Sequence, residues 1–164
     1  ERRQAEAELR ESQERFRQLV ETTRTIPWEA DAEMRRFLYV GPQAVTLLGH
    51  PASAWHEEGF WRAHLHSEDR DAFEQRLQAG LAAGRDFEFE CRQRSADGRS
   101  VWFLGVASLI TPPQGPRLLR GFLFDATERK QAENIRRESE ERYRLLVENS
   151  SDLVAEITLD GRYL

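Results

Sequence analysis

Residues 86–110 read DFEFECRQRSADGRSVWFLGVASLI, a pattern that indicates two consecutive strands. Its first part alternates apolar residues with Glu and Arg, which predicts a strand with one buried face. Asp97 and Gly98 form a dipeptide that favours a tight turn between antiparallel strands. The segment 101–110 is apolar on both of its faces. The stretch therefore predicts a β-hairpin whose second strand lies inside a sheet.

A turn rich in Pro and Gly over 112–116 leads from the hairpin to another apolar segment, 118–124. An antiparallel sheet with two apolar faces must be covered on both. Short helices can cover one face, and the other is left for a connector helix or a second subunit. We therefore expect helix docking or dimerisation to be built into the fold.

Upstream of the hairpin, the sequence predicts a helix that begins at Ser67 and ends at Gly84. Ser67 offers a capping hydroxyl, and acidic residues follow it in the first turn. Phe73, Leu77 and Leu81 share one face of this helix. The helix can therefore cover one face of the sheet.

Nearer the N-terminus, the segments 26–31 and 37–40 predict two short strands. A short helix over 43–48 follows them. Gly49 and Pro51 then provide the glycine and proline with which helices commonly end.

The sequence also contains an internal repeat. Residues 1–23 and 128–150 align without gaps and are identical at 14 of 23 positions. Both copies are rich in Glu, Arg, Gln and Leu and lack Gly and Pro, which predicts helices. Residues 153–164 further resemble 26–38, so we expect a tandem array within a longer protein. In this interpretation 1–23 and 128–150 are connector helices, and 151–164 is the truncated start of a second unit.

The first connector helix carries a weak seven-residue pattern. Ala5, Ser12 and Leu19 fall seven residues apart, but Glu8 and Arg15 occupy the seam positions between them. A stable coiled coil needs apolar residues at both kinds of position. The pattern predicts either a marginal parallel dimer seam or a solvated spacer helix.

Several short strings, taken in order, resemble signatures of the PAS family. The first two are LLGHP at 47–51 and HSEDR at 66–70. The third is discontinuous and consists of CR at 91–92, DGR at 97–99 and Trp102, and the fourth is DATERK at 125–130. The second and fourth strings resemble the family's H-P-E-D-R helix entry and its D-I-T-E-R-K exit, known as the PAC motif. Ser67 replaces a family Pro, and Ala126 replaces a family Ile.

The resemblance implies an α+β PAS fold, in which a five-stranded antiparallel sheet carries short helices on one face. Amphipathic connector helices would flank it. The sensory domain would then span 24–127.

The family's geometry also implies which side chains face the helices, where PAS domains hold ligands. The candidate lining residues are Trp28, Trp61, His64, Phe73, Leu77, Phe89, Cys91, Gln93, Phe103, Gly105, Gly121 and Leu123. Gly105 and Gly121 would leave room for a ligand, whereas Phe89 and Phe103 could fill the space as an ordinary core. The outer face would carry Trp102, Leu104, Val106, Phe122 and Phe124.

The cofactor remains unknown from the sequence, with flavin and haem as the coloured candidates. The Asn-Cys-Arg string of the flavin photoreceptor relatives is absent, and Leu123 stands where they have an amide. A haem-binding relative presents a His from the helix before the third strand, where this chain has none. His64 is the remaining candidate for an axial group or ligand contact, and Cys91 is expected to be a buried apolar residue.

The exit string implies a signal relay through Asp125, Thr127, Glu128 and Arg129. Asp125 would cap the outgoing helix, with Glu128 completing the pair and Arg129 within reach of its carboxylate. A strain in the sheet would thereby become a movement of the connector helix. The alternative is a plain cap that stabilises the helix by about 1 kcal/mol.

The composition limits the partners. The net charge of −5 disfavours a nucleic acid, which needs a surplus of Lys and Arg. No apolar run approaches the roughly 20 residues of a membrane span, so no membrane contact is expected in this segment. A single Cys suits a reducing compartment, and we expect a cytoplasmic module in a parent protein that could be membrane-tethered elsewhere.

The sequence thus predicts a non-enzymatic sensory module that relays a small ligand or redox cue to a downstream domain in cis. The output would be a histidine kinase, or otherwise a cyclic-di-GMP synthase or hydrolase. The module would form a homodimer through its connector helices and outer sheet face. The competing interpretation is a PAS unit without a ligand, which serves as a dimerisation spacer.

Overall fold

The computed structural model describes the backbone of residues 1–159 and the side chains of residues 1–150. The chain divides into two compact units, and the second begins at Thr127. The first unit consists of α1 (Arg2–Glu21), β1 (Thr25–Asp31), β2 (Phe37–Val40), α2 (Gln43–Leu48), α3 (Ala52–Trp55), α4 (Phe60–His64), a 3₁₀ turn (Ser67–Asp69), α5 (Arg70–Ala83), β3 (Phe87–Arg94), β4 (Ser100–Ile110) and β5 (Leu118–Asp125).

The five strands form one antiparallel sheet in the order β2-β1-β5-β4-β3. Strands β1 and β5, the first and last strands in the sequence, are therefore neighbours in the middle of the sheet. Helices α2 to α5 lie between β2 and β3 in sequence, and their apolar residues join the buried core. The predicted α+β PAS fold, with its five-stranded antiparallel sheet, is confirmed.

The predicted hairpin joins β3 to β4. Gly98 adopts a φ of 86°, a left-handed conformation that glycine reaches without a Cβ clash. The backbone N–H of Ser95 donates to the carbonyl of Arg99 at 2.8 Å, and the N–H of Gly98 donates to the carbonyl of Ser95 at 3.0 Å. These bonds close the turn and set the register of the two strands.

The entry to α5 differs from the sequence prediction. Ser67 does not cap the helix, because residues 67–69 form a 3₁₀ turn before α5 begins at Arg70. The cap is His66, whose Nδ1 accepts from the backbone N–H of Glu68 at 3.3 Å. An imidazole nitrogen is not among the usual capping groups, so the capping rule favoured the hydroxyl next to it.

The second unit consists of one helix, α6 (Thr127–Leu159). Exposed ion pairs four residues apart support it, such as Arg129 with Glu133 at 3.1 Å. The predicted start of a second domain over 151–164 stays a prediction, since the side chains from residue 151 and everything from residue 160 lie outside the described residues. Over the described residues, neither long helix has an apolar stretch that could cross a bilayer.

Candidate functional site

The interior between the sheet and α2–α5 is where the sequence places a ligand pocket. All the candidate lining residues are buried except His64 and Gly121, which are partly exposed. The strand register explains their shared face, because Phe89 lies opposite Gly105, and Gly105 lies opposite Leu123. Cys91 lies opposite Phe103 in the same ladder. The structure therefore brings these predicted residues to one side of the sheet.

Aromatic rings fill most of this interior. Phe37 lies at the centre of three tryptophans, with ring centroids 5.8 Å from Trp28, 5.3 Å from Trp55 and 5.5 Å from Trp61. Trp61 also contacts the rings of Phe73, Phe89 and Phe103 at 6.1–6.4 Å. Tilted and edge-to-face contacts of this kind are the arrangements that aromatic pairs prefer, and they bury large apolar surfaces.

Phe37 and Trp55 belong to this cluster but were not among the predicted site residues. Phe37 is the first residue of a four-residue strand, and Trp55 ends a four-residue helix. Elements this short show too little periodicity to assign a buried face. Their size was the available signal, because large aromatic residues are highly buried on average.

The glycines of the sheet do not leave open space. A Cβ at Gly105 would lie 2.1 Å from Cζ of Phe89, so the phenyl ring occupies the volume that the glycine frees. A Cβ at Gly121 would lie 1.8 Å from the backbone oxygen of Val106. These glycines therefore allow close packing of a ring and of a neighbouring strand.

Four polar atoms inside this apolar cluster lack a hydrogen-bond partner. They are the indole nitrogens of Trp28, Trp55 and Trp61 and the side-chain oxygen of Gln93. Each of these residues is at most 1% exposed. The amide nitrogen of Gln93 donates to the carbonyl of Trp61 at 3.2 Å, which holds its oxygen inside the core. The interior thus offers three donors and one acceptor.

His64 does not point into the aromatic interior. Its Nδ1 bonds to the carbonyl of Phe60 at 2.9 Å, and its ring packs against His50, with centroids 4.3 Å apart. No histidine is among the buried residues of the described chain. The described residues therefore place no histidine in the interior as an axial ligand for a haem.

A flavin finds little room in this interior. The rings of Trp61, Phe73 and Phe89 are in mutual contact there, with centroids 5.2–6.3 Å apart. Cys91 is fully buried, and burial raises the pKa of its thiol well above the ordinary range. A thiol held in its protonated form is a poor nucleophile.

The end of β5 is bonded into the centre of the sheet. Asp125 lies opposite Phe103 in the ladder with β4. The backbone N–H of Ala126 donates to the carbonyl of Trp102 at 2.8 Å. One residue then separates β5 from α6, in which Thr127, Glu128 and Arg129 form the first turn. The relay role predicted for these residues stays a prediction.

Comparisons with known proteins agree with this architecture. The family model described as PAS fold matches residues 37–122. The two-component sensor PprA of Pseudomonas aeruginosa is 38% identical over 106 residues, which is 61% of this chain and 11% of that protein. The chain therefore spans about a tenth of the length of this curated relative.

Two solved structures extend the comparison. The N-terminal domain of a diguanylate cyclase with a PAS/PAC sensor from Marinobacter aquaeolei is 30% identical, with a TM-score of 0.58 over 65% of this chain and 98% of that one. A sensory box histidine kinase/response regulator from Burkholderia thailandensis shares the fold with a TM-score of 0.65, at 23% identity over 79% of this chain and 98% of that chain. The sheet order, the family match and these relatives together show that the chain belongs to the PAS family.

Proposed function

We propose that this chain is the sensory module of a multi-domain receptor, and that a small polar molecule binds in its aromatic interior. The observation that carries the proposal is the set of four unpaired polar atoms on Trp28, Trp55, Trp61 and Gln93. A buried donor or acceptor without a partner costs about 1–3 kcal/mol. Native proteins usually satisfy such groups with protein atoms or ordered water, and a bound ligand can take the same place. The ligand would present acceptors to the indoles and a donor to the amide oxygen.

The proposed relay begins at Trp61, which bonds to Gln93 through its backbone and contacts Phe103 through its ring. Phe103 pairs with Asp125 across β4 and β5. A ligand that moves the indole of Trp61 would therefore displace Phe103 and shift the end of β5. Asp125, Thr127, Glu128 and Arg129 would pass that shift into α6, provided that two states lie within a few kcal/mol of each other.

The output domain is proposed from the relatives. A two-component sensor and a histidine kinase favour a histidine kinase in the parent protein. The diguanylate cyclase relative supports a cyclic-di-GMP enzyme as the alternative. The module itself would not be catalytic and would lie in the cytoplasm with its output domain.

The first experiment is native mass spectrometry of the purified chain, together with its ultraviolet and visible absorption spectrum. A bound molecule that Trp61→Phe releases would support the interior site, because the substitution removes one donor and keeps an aromatic ring. Trp102→Phe is the matched control on the outer face. Retention of the same molecule by Trp61→Phe would argue against this site.

A test of the relay requires the full-length receptor, because the readout is the activity of its output domain. Asp125→Ala should abolish the response of the output activity to the cue while the module keeps its thermal stability. A receptor with Asp125→Ala that still responds normally would show that the relay is wrong.

A second candidate function is a ligand-free dimerisation spacer. The packing of Phe37 and Phe89 against their neighbours favours it, since the rings leave little room. Exposed apolar residues on α1, Leu9, Phe16 and Leu19, also favour association with a second copy. This function predicts an interior that is filled by its own side chains and binds no ligand, and a Tm that no metabolite changes.

A further inference from the structure

Two histidine side chains meet on the surface of the helices that cover the aromatic interior. His50 lies two residues after α2, and His64 is the last residue of α4. Their ring centroids are 4.3 Å apart, and both rings contact the phenyl ring of Phe60, with centroids 5.2 and 4.5 Å away. Phe60 is buried, whereas both histidines are partly exposed. A buried phenyl ring thus holds two imidazoles side by side where solvent reaches them.

A backbone carbonyl sets the tautomer of each neutral ring. Nε2 of His50 lies 2.9 Å from the carbonyl oxygen of Arg94, and Nδ1 of His64 lies 2.9 Å from that of Phe60. Because a carbonyl oxygen can only accept, each of these nitrogens carries the proton. The other two nitrogens, Nδ1 of His50 and Nε2 of His64, therefore present lone pairs. Neither has a hydrogen-bond partner among the described residues.

Histidines that bind metal ions have the same outer hydrogen bonds. A ligating imidazole almost always donates its other N–H to a carbonyl, a carboxylate or water, which orients the ring and makes the ligating nitrogen more basic. Two imidazoles on one Zn²⁺ ion, with Zn–N distances of about 2.0–2.1 Å, have ring centres roughly 4.5–5 Å apart. The rings of His50 and His64 are only slightly closer than this. A small rotation of either side chain would give the required spacing.

We propose that His50 and His64 bind a divalent transition-metal ion such as Zn²⁺, with water completing its coordination. Imidazole nitrogens suit this class of ion, whereas Mg²⁺ and Ca²⁺ prefer oxygen ligands. Within the described part of the chain, no third His, Cys, Asp or Glu side chain joins the pair, so the ion keeps open coordination positions. The site is separate from the aromatic interior of the proposed function and does not depend on a ligand there.

The bound ion would restrain the helices that cover the interior. His50 is held by the carbonyl of Arg94 at the end of β3, and His64 lies three residues after Trp61 on α4. Trp61 in turn accepts a hydrogen bond from Gln93, the neighbour of Arg94. Coordination by both imidazoles would therefore fix α4 relative to the end of β3 and limit the movement of the Trp61 indole.

Isothermal titration calorimetry of the purified chain with ZnCl₂ tests the site. His50→Gln and His64→Gln should each weaken Zn²⁺ binding at least about tenfold, because loss of even an outer partner of a metal ligand costs about 10–100-fold. His56→Gln is the matched control. Nδ1 of His56 also bonds to a carbonyl, that of Phe37 at 2.8 Å, but no second imidazole contacts its ring among the described residues.

Wild type and His56→Gln should bind one Zn²⁺ ion with the same affinity. No binding by wild type up to about 1 mM Zn²⁺ would overturn the proposal. Unchanged affinity in His50→Gln or in His64→Gln, or an equal loss in His56→Gln, would also overturn it.

NMR spectra of the ¹⁵N-labelled histidine rings locate the ion in the wild-type chain, so this measurement does not depend on the folding of a variant. We expect Zn²⁺ to shift the resonances of His50 Nδ1 and His64 Nε2 and to leave the rings of His56 and His66 unchanged. Mg²⁺ at the same concentration should shift none of them. Equal shifts of all four rings, or no shift of the His50 and His64 rings, would overturn the metal site. Failure here would leave the interior proposal standing, because release of a ligand by Trp61→Phe is measured separately.

Discussion

Arg92 and Asp69 are joined by three hydrogen bonds that fasten the entry of α5 to the edge strand β3. The backbone N–H and Nε of Arg92 donate to Oδ2 of Asp69 at 2.8 and 2.9 Å, and Nη2 donates to Oδ1 at 2.6 Å. The guanidinium also lies 4.9 Å from the ring centroid of Trp102. The N–H of His66 donates to the carbonyl of Arg92 at 2.9 Å, so the segment before α5 covers the edge of the sheet.

We expect Asp69→Asn to lower the free energy of unfolding by about 1.5–3 kcal/mol, because hydrogen bonds to charged groups contribute this much. Urea unfolding followed by Trp fluorescence measures the change, since all four tryptophans lie in the first unit. Asp71→Asn is the matched control two residues away on the exposed surface. Equal stability of the two variants would show that the Asp69–Arg92 pair contributes nothing.

The same pair predicts a dependence of stability on pH. Burial alone would raise the pKa of Asp69, but the hydrogen bonds and charge of Arg92 outweigh it and lower the pKa below its ordinary value of 3.8. A lowered pKa in the folded state stabilises the fold above the unfolded pKa, and the contribution disappears as the pH falls through the folded value. The stability difference between wild type and Asp69→Asn should therefore be constant from about pH 5 to pH 8 and shrink below about pH 4.

Denaturation curves at several pH values measure this difference directly. Hydrogen bonds from Ser95 and Arg99 lower the pKa of Asp97 to about 2. Because Asp97 is present in both proteins, its titration cancels in the comparison. A difference that does not shrink at all between about pH 5 and pH 2 would mean that the ionised form of Asp69 is not what stabilises the fold.

The sequence was sufficient to predict the strands of the sheet, but it was insufficient to predict how side chains fill the interior between the sheet and the helices. Strand alternation and the turn at Gly98 predicted the hairpin, because both are local properties of the chain. Whether a glycine opens a cavity depends on which side chain lies across the strand. The sequence did not decide whether Gly105 opens a cavity. The strand register places Phe89 opposite Gly105, and the ring of Phe89 occupies the space that the glycine frees.

Gly105→Ala should destabilise the fold by about 1–3 kcal/mol, because the new methyl group would overlap the ring of Phe89. That ring cannot move freely, since it contacts Phe73 and Trp61 with centroids 5.2 and 6.3 Å away. The double variant Gly105→Ala/Phe89→Leu should lose less stability than the sum of the two single variants. Strict additivity in this cycle would mean that the two positions do not share one volume.

Cys91 should resist alkylation in the folded protein. It is fully buried, and burial keeps its thiol protonated by raising the pKa. Modification by iodoacetamide, followed by mass spectrometry at pH 8, should proceed at a small fraction of its rate in denaturant. Labelling at the same rate in both conditions would show that the interior opens rapidly, which would also weaken the case for a closed ligand site.

The exposed apolar residues of the connector helix α1 define a different seam from the predicted one, in which Glu8 and Arg15 occupied alternate positions. Leu9, Phe16 and Leu19 are 60%, 67% and 62% exposed, and with Ser12 they alternate at spacings of three and four residues. This spacing is the one that buries apolar residues between two parallel helices. A second copy of the chain would therefore cover Leu9 and Phe16.

Phe16→Glu should convert a dimer of the chain to a monomer, because it would place two like charges in that seam. Light scattering coupled to size-exclusion chromatography measures the mass over a range of concentrations. Gln18→Glu is the control, since it adds the same charge to α1 on the side away from the seam and should leave the dimer intact. A Phe16→Glu variant that stays dimeric would exclude α1 as the main interface and direct attention to the outer face of the sheet, where Phe122 and Phe124 are 42% and 38% exposed.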